Sequence, residues 1–311
     1  MLKFTIRRIL WTIPVILLVI LMTFVMMRMI KGNPFRTTER AVPEAIQRNL
    51  ERKFHLDQPA YKQYLFYVKG VFTLDLGPSL VLRSQTVNDI IKQHFPVSIH
   101  LGVMALLFAI VLGIPLGILA ALKQNSPLDY ASMGIANLGF SIPSFLVATL
   151  LIYFFAVKWK DVTGLPTNGW GGPETWVLPV IALGIYPMTY FARLVRGSML
   201  ETLQQDYVRT AKAKGLRWRV VVGKHVLRNS LIPAVTATGP LLGYLITGSF
   251  IIEYIFGIPG IGKYYVTAVT GRDYSVVMGI TVLLSVIIIV ANLVVDIVYV
   301  YLDPRTRDER T

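Results

Sequence analysis

Residues 99–122 read IHLGVMALLFAIVLGIPLGILAAL, a stretch with no Lys, Arg, Asp or Glu. A bilayer core needs roughly 20 apolar residues as helix, because lipid offers no partner to an open backbone N–H or C=O. The stretch therefore reads as a membrane-spanning helix. Five further segments, about 9–29, 132–157, 176–192, 231–252 and 277–301, carry similar apolar blocks, the fourth being short and interrupted by Pro179 and Pro187. These are long blocks, without the period of 2 or 3.6 expected of half-buried strands and amphipathic helices. The 311-residue chain is 54% hydrophobic and 15% charged, far from a soluble globular balance. The expected fold class is an all-α integral membrane protein with about six transmembrane helices.

Orientation follows from the positive-inside rule, in which short loops count most. The segment after the fourth span carries Arg193, Arg196, Arg209, Lys212, Lys214, Arg217, Arg219, Lys224 and Arg228, whereas the loops after the third and fifth carry only Lys158 with Lys160, and Lys263 with Arg272. Both termini are expected in the cytoplasm, in agreement with Lys3, Arg7 and Arg8 at one end and Arg305, Arg307 and Arg310 at the other. The N-terminus resembles the first half of a signal peptide, but its apolar run Ile9–Met27 is too long and Met27-Arg28-Met29-Ile30-Lys31 offers no small-x-small cleavage site. It is read as a retained first span.

The chain divides into residues 1–30, the N-terminus and first span; 31–98, a small helical extracytoplasmic domain; and 99–311, a five-span core holding the cytoplasmic segment 193–233. Long loops translocate largely regardless of charge, so a basic 31–98 region can lie outside. Within it, Pro43, Ile46, Leu50 and Phe54 mark one amphipathic helix; Pro59, Tyr61, Leu65 and Val68, ending at Gly70, mark a second. The domain serves either as a plug packed on the spans or as a landing surface for a soluble partner.

Several chemistries are excluded. The net charge of +14 is spread over loops between apolar blocks, unlike a basic, aromatic-studded nucleic-acid face. The absence of cysteine removes disulfides, thiolate metal sites, cysteine nucleophiles and Cys-held Fe–S clusters. Gly223-Lys224 is followed by His225, and Trp218 stands where the first glycine of a phosphate loop belongs, so this chain carries no Walker motif for ATP. His55, His94, His100 and His225 form no paired metal motif. Gly113-x-x-x-Gly117, with Pro115 between, is a candidate helix-contact face. Glu253 and Asp296 are the acids within or beside spans, and such residues are functional candidates: a structural or gate role and a proton relay both remain open.

The basic segment has its own pattern. Leu200, Leu203, Tyr207 and Ala211 form a narrow apolar stripe, Gly215 supplies a helix stop, and Trp218, Val221, Val222, His225 and Val226 form a second stripe before Asn229-Ser230 caps the next span. Two amphipathic helices joined at a glycine make either a docking lever or a hairpin lying on anionic headgroups.

Asp206-Tyr207-Val208-Arg209-Thr210-Ala211-Lys212-Ala213-Lys214-Gly215-Leu216, followed by Lys224-His225-Val226-Leu227-Arg228-Asn229-Ser230-Leu231-Ile232-Pro233, resembles the coupling segment of ABC-importer permeases of the dipeptide/oligopeptide/nickel family. Phe54-His55-Leu56-Asp57-Gln58-Pro59, Asp75-Leu76-Gly77-Pro78-Ser79, Ser141-Ile142-Pro143-Ser144-Phe145, Gly257-Ile258-Pro259-Gly260-Ile261-Gly262 and Arg272-Asp273-Tyr274 extend the likeness over essentially the whole chain. Lys31-Gly32-Asn33-Pro34-Phe35 and Gly77-Pro78-Ser79 look most like the B-subunit branch of the oligopeptide permeases. The general importer pattern E-A-A-x-x-x-G appears here as Arg209-Thr210-Ala211 aligned on Gly215, with His225-Val226-Leu227-Arg228 in place of the later I-x-L-P.

The resemblance implies a non-catalytic permease subunit forming half of a pathway for oligopeptides or dipeptides, or for nickel or another small solute. Implied partners are a homologous second permease, two ATPase subunits and an extracytoplasmic binding protein, in a bacterial cell (inner/plasma) membrane. ATP and Mg would be held by the ATPases, with no cofactor in this chain. Docking is assigned by the resemblance to Arg209, Thr210, Ala211, Gly215, Leu216, Arg217, Trp218, Val221, Val222 and His225, and a pathway or gate to Ser141, Pro143, Ser144 and Glu253. An intramembrane enzyme or respiratory-chain subunit, motivated by Glu253 and Asp296, and a free-standing channel are the competing classes.

Overall fold

A computed structural model of the chain describes residues 2–29, 57–82, 84–247 and 250–302. Among these residues the elements are helical, apart from an isolated bridge between Pro78 and Thr86. Helix α1 is Leu2–Met29, α2 is Ala60–Thr73 and α3 is Val87–Leu122. Helix α3 starts in a capping box: the Thr86 hydroxyl accepts from the Asp89 N–H, and the Asp89 carboxylate accepts from the Thr86 N–H, both at 3.1 Å. It runs unbroken across 98/99, so Val87–Ser98 and the expected second span form one helix. Its 36 residues measure about 54 Å at 1.5 Å per residue, well beyond a ~30 Å bilayer core.

The expected third span, 132–157, is built from two helices, α4 (Pro127–Ser141) and α5 (Ser144–Leu151), the latter continuing as a π-helical stretch Ile152–Lys158. The two arms meet at 105°. The physical reason is Pro143: the residue before a proline is pushed out of the helical region, and Ile142 sits at φ −89, ψ 124.

Helix α6, Pro173–Leu203, absorbs both Pro179 and Pro187 and is continuous over 31 residues. Hydropathy ranked it the weakest span, yet 61% of its apolar window is buried, against 11% for α1 and 33% for α3. It is the centre of the bundle and faces protein, where shape matters more than hydropathy. Its most extensive contact is with α3, and glycines permit it. A Cβ on Gly113 would collide with the Met188 carbonyl, one on Gly117 would lie 2.5 Å from the Ala192 carbonyl, and one on Gly184 would lie 2.9 Å from the Ala105 carbonyl. The Gly113-x-x-x-Gly117 pair is thus a helix-contact face, and the rising pairs 105/184, 113/188 and 117/192 show that α3 and α6 run parallel.

After α6 come α7 (Asp206–Ala213), α8 (Trp218–Val220), a π-helical stretch Val221–Val226 and α9 (Leu227–Ser230). Then follow α10 (Ile232–Ile246), α11 (Phe250–Ile255), α12 (Ile261–Gly271) and α13 (Tyr274–Leu302). The expected fifth span is shared between α10 and α11: α10 has 15 residues, about 22 Å, short of a bilayer core by itself. Among the described residues, α1, α3, α6 and α13 are each long and apolar enough to cross a membrane, and the bent pair α4/α5 is a fifth candidate.

Helix α2 packs along the second half of α1 and the first turns of α13, at the end of the bundle here called the cap end. Tyr64, Tyr67, Val68 and Val71 pack on Ile16, Ile20 and Phe24 of α1 and on Met278 and Val282 of α13, and the Tyr64 hydroxyl donates to the Leu17 carbonyl at 3.2 Å. Tyr61 and Leu65, expected on the packed face, are exposed. Residues 61/65/68 and 64/67/68/71 are both apolar at helical spacing, so only the tertiary contact selects between them. The helix passes Gly70 and stops at Leu74, which takes a left-handed φ of 57. The expected Pro43–Phe54 helix lies outside the described residues.

Candidate functional site

The opposite, basic end is built by the turn of chain from Gln204 to Ser230. Helix α6 stops at Leu203, and Gln205, with ψ 147, starts α7 in a new direction. At the far end of α7 the Gly215 N–H donates to the Lys212 carbonyl at 3.0 Å and the Leu216 N–H to the Ala211 carbonyl at 3.4 Å. This is a Schellman stop, and it needs the left-handed residue that Gly215 supplies at φ 78. Arg217, extended at ψ 137, then launches α8 and the π-helical stretch. Stretches of π-helix shift side-chain register by one residue and recur at functional sites.

One face of this segment is anchored. Val208, Ala211, Val221, Val222, Val226 and Ser230 are buried. The first expected stripe is therefore corrected. Leu200 and Leu203 belong to α6, separated from α7 by the break, and Val208 takes the inward position assigned to Tyr207. Tyr207 is exposed, its hydroxyl accepting from Asn229 Nδ2 at 2.8 Å.

The other face is open. Every residue from Lys212 to Val220 is exposed, and Leu216, Trp218 and Val220 leave 42%, 47% and 41% of their surfaces uncovered. Lys212 places its ammonium 4.5 Å from the Trp218 ring centroid, a cation–π contact that steadies the indole on the surface. Arg209, Thr210, Gly215, Leu216, Arg217 and Trp218 thus lie on an exposed basic and apolar surface. Ala211, Val221 and Val222 are its buried foundation, with His225 half-buried between them.

Of the four residues expected to line a pathway or gate, three lie at the break between α4 and α5, and the fourth, Glu253, lies on α11, which packs against α5. Ser141 and Pro143 are exposed and Ser144 half-buried at the 105° break. Glu253 is fully buried at the cap end. Its Oε1 accepts from Ser98 Oγ at 2.8 Å, and its Oε2 accepts from the N–H groups of Gly262 and Lys263 at 2.7 and 3.3 Å. Ser98 Oγ accepts in turn from the Ile261 N–H at 2.9 Å. The first N–H groups of α12 have no partner within their own helix, and an anion there also meets the positive end of the helix dipole. Glu253 is the cap of α12, supplied from another helix. Gly260 and Gly262 leave room for it: a Cβ on Gly260 would strike the Glu253 carboxylate, and one on Gly262 would lie 2.8 Å from Oε2.

A second acid, Asp273, joins the cap to the bundle. It is buried and accepts from the Ser79 hydroxyl, from the Leu80 and Val81 N–H groups at 3.1 Å, and from Val276 N at 3.3 Å. A third, Asp129, holds Arg196 in a bidentate pair at 2.7 and 2.8 Å. Residue-by-residue reading assigned no role to either acid. Their signals were local: Asp273 stands three residues before Val276, the spacing of an N-cap, and Ser126-Pro127-Leu128-Asp129 has a capping serine, a first-turn proline and a first-turn acid.

A family model described as the binding-protein-dependent transport system inner membrane component matches residues 113–308, and the N-terminal model of such membrane components matches residues 1–102. The chain belongs to this family. The permease is 48% identical over 307 residues to the dipeptide transport system permease protein DppB of Bacillus subtilis (strain 168), covering 99% of this chain and 98% of that one. It is 44% identical over 309 residues to the oligopeptide transport system permease protein OppB of Haemophilus influenzae, covering 99% and 100%. Among solved structures, an inward-facing form of the MetNI methionine ABC transporter shares the permease's fold at TM-score 0.58 and 20% identity, over 69% of this chain and 96% of that chain. The protein is therefore a permease component of a binding-protein-dependent ABC importer.

Proposed function

We propose that this permease forms half of a translocation pathway for dipeptides or oligopeptides, the other half being a homologous permease. The observation that carries the reading is end-to-end relatedness, at 48% and 44% identity, to a dipeptide and an oligopeptide permease. Two ATPase subunits dock at the basic end and an extracytoplasmic binding protein delivers the solute to the cap end. This chain is non-catalytic; nucleotide and Mg are held by the ATPases. The host membrane is the bacterial inner or plasma membrane.

The chain crosses six times, through α1, α3, the bent pair, α6, α10 with α11, and α13, with both termini in the cytoplasm. The positive-inside rule supports this orientation, since the exposed Lys and Arg residues concentrate on the 204–230 segment. Docking rests on the exposed turn at Leu216 and Trp218: an apolar knob ringed by cations suits a groove in a soluble partner. ATP-driven closure of the ATPases displaces this segment and biases the spans between outward and inward access.

The test is reconstitution of the full transporter in proteoliposomes, with labelled dipeptides, longer peptides and Ni²⁺ offered in competition. The reading expects ATP-dependent uptake of a peptide. Uptake of the metal with no peptide accumulation would overturn it.

A further inference from the structure

The basic end holds a partly buried ion pair that docking alone does not require. Asp129 lies in the first turn of α4 with 2% of its surface exposed, and Arg196 lies seven residues before the end of α6, where the docking segment begins. Arg196 Nε donates to Oδ1 at 2.7 Å and Nη2 to Oδ2 at 2.8 Å, a planar fork-to-fork contact. Asp129 Oδ2 also accepts from the Asn125 N–H at 3.0 Å, and Asn125 sits at φ 60. One carboxylate therefore ties together the α3–α4 turn, the start of α4 and the end of α6.

The contact continues along the same two helices. Arg193 stacks 4.0 Å from the Phe140 ring centroid, Phe140 stacks on Tyr186 at 5.2 Å, and a Cβ on Gly139 would meet Thr189 at 2.6 Å. Asp129 to Phe140 thus runs antiparallel to Arg196 to Tyr186. Immediately beyond Phe140 the chain breaks at Ser141-Ile142-Pro143 and α5 departs at 105°.

From this geometry we infer that Asp129 and Arg196 are positioning residues for energy coupling: they bind α4 to the ATPase-facing end of α6, so that both move as one body and the 141–143 break is the joint between that body and α5. Displacement of the docking segment then reaches the bent pair directly. A bidentate pair suits this role because its two parallel bonds fix orientation as well as distance. The inference rests on the docking reading above, which fails on a different observation: retention of the ATPases by Leu216→Glu with Trp218→Glu.

The experiment measures solute transported per ATP hydrolysed by the assembled transporter in proteoliposomes, for Asp129→Asn and Arg196→Lys. Each variant is expected to keep its ATPases on copurification while the ratio falls about fivefold or more, the range of a coupling energy. An unchanged ratio overturns the inference, and so does loss of the ATPases, which would place the pair in docking. Removing one partner leaves the other charge unpaired at a partly buried site and can weaken folding, so a second variant removes both. The chain has no cysteine, and Asp129→Cys with Arg196→Cys bridged by a short bismaleimide replaces the pair by a covalent tie. If α4 and the end of α6 move as one body, bridging restores the ratio that the unbridged double variant loses. If they move apart during transport, bridging abolishes uptake and the inference fails.

Discussion

Ser98 donates to Glu253 across 155 residues of sequence, at 2.8 Å, in a site closed to solvent. The relationship makes Glu253 part of a helix cap, although an acid at a span's edge also suggests a proton relay. Both carboxylate oxygens are engaged, one by Ser98 and the other by two backbone N–H groups of α12. Glu253→Ala should leave those donors unpaired and cost about 1–3 kcal/mol, read as a lower unfolding temperature of the detergent-purified protein. Glu253→Gln should lose stability and transport together. A Gln variant of native stability that fails to transport would favour the relay.

Ser79 and Asp273 present a matching case at the cap. Ser79→Ala and Asp273→Asn should each destabilise the protein, and the double variant should fall short of their sum by about 0.5–3 kcal/mol, as groups sharing one network do. A double-mutant cycle from thermal unfolding measures it.

The α3–α6 contact predicts a contrast among glycines. Gly113→Leu and Gly117→Leu place side chains into the α6 backbone and should cost about 1–3 kcal/mol or more. Gly134→Leu meets open space in this chain and should be neutral for its unfolding temperature.

At the proposed docking turn, Gly215→Ala tests conformation alone, since nothing lies within 4 Å of an added Cβ while φ is 78. The expected cost is about 1–2 kcal/mol, local to the turn. Gly223→Ala, with open space and no positive φ, is the matched control and should be silent.

Much of this fold was legible because lipid imposes it: a run such as 99–122 has few alternatives to helix. What hydropathy could not show was which helices face protein. Helix α6, with its prolines and small residues, scored lowest and became the centre, because Gly184 and the Gly113/Gly117 pair make close packing the deciding property. Pro143 was visible, but whether a proline kinks a span or divides it depends on its neighbours. At the basic end the Gly215 stop was legible from local pattern, but the second stripe put Trp218 on one face with Val221, Val222 and Val226, which are buried while Trp218 is exposed, and the exchange of Val208 for Tyr207 on the inner face followed from the break at Gln204-Gln205. The pairs Asp129–Arg196, Ser98–Glu253 and Ser79–Asp273 join residues 67, 155 and 194 apart, and no single sequence announces contacts of that range.

The docking role proposed for the exposed Leu216–Trp218 turn is tested most directly by copurification. Leu216→Glu with Trp218→Glu should leave the permease inserted and paired with the proposed homologous subunit, since both side chains are exposed in this chain, while the proposed ATPase subunits are lost and peptide-stimulated ATP hydrolysis falls to background. Full recovery of the ATPases with unchanged stimulation would contradict the account.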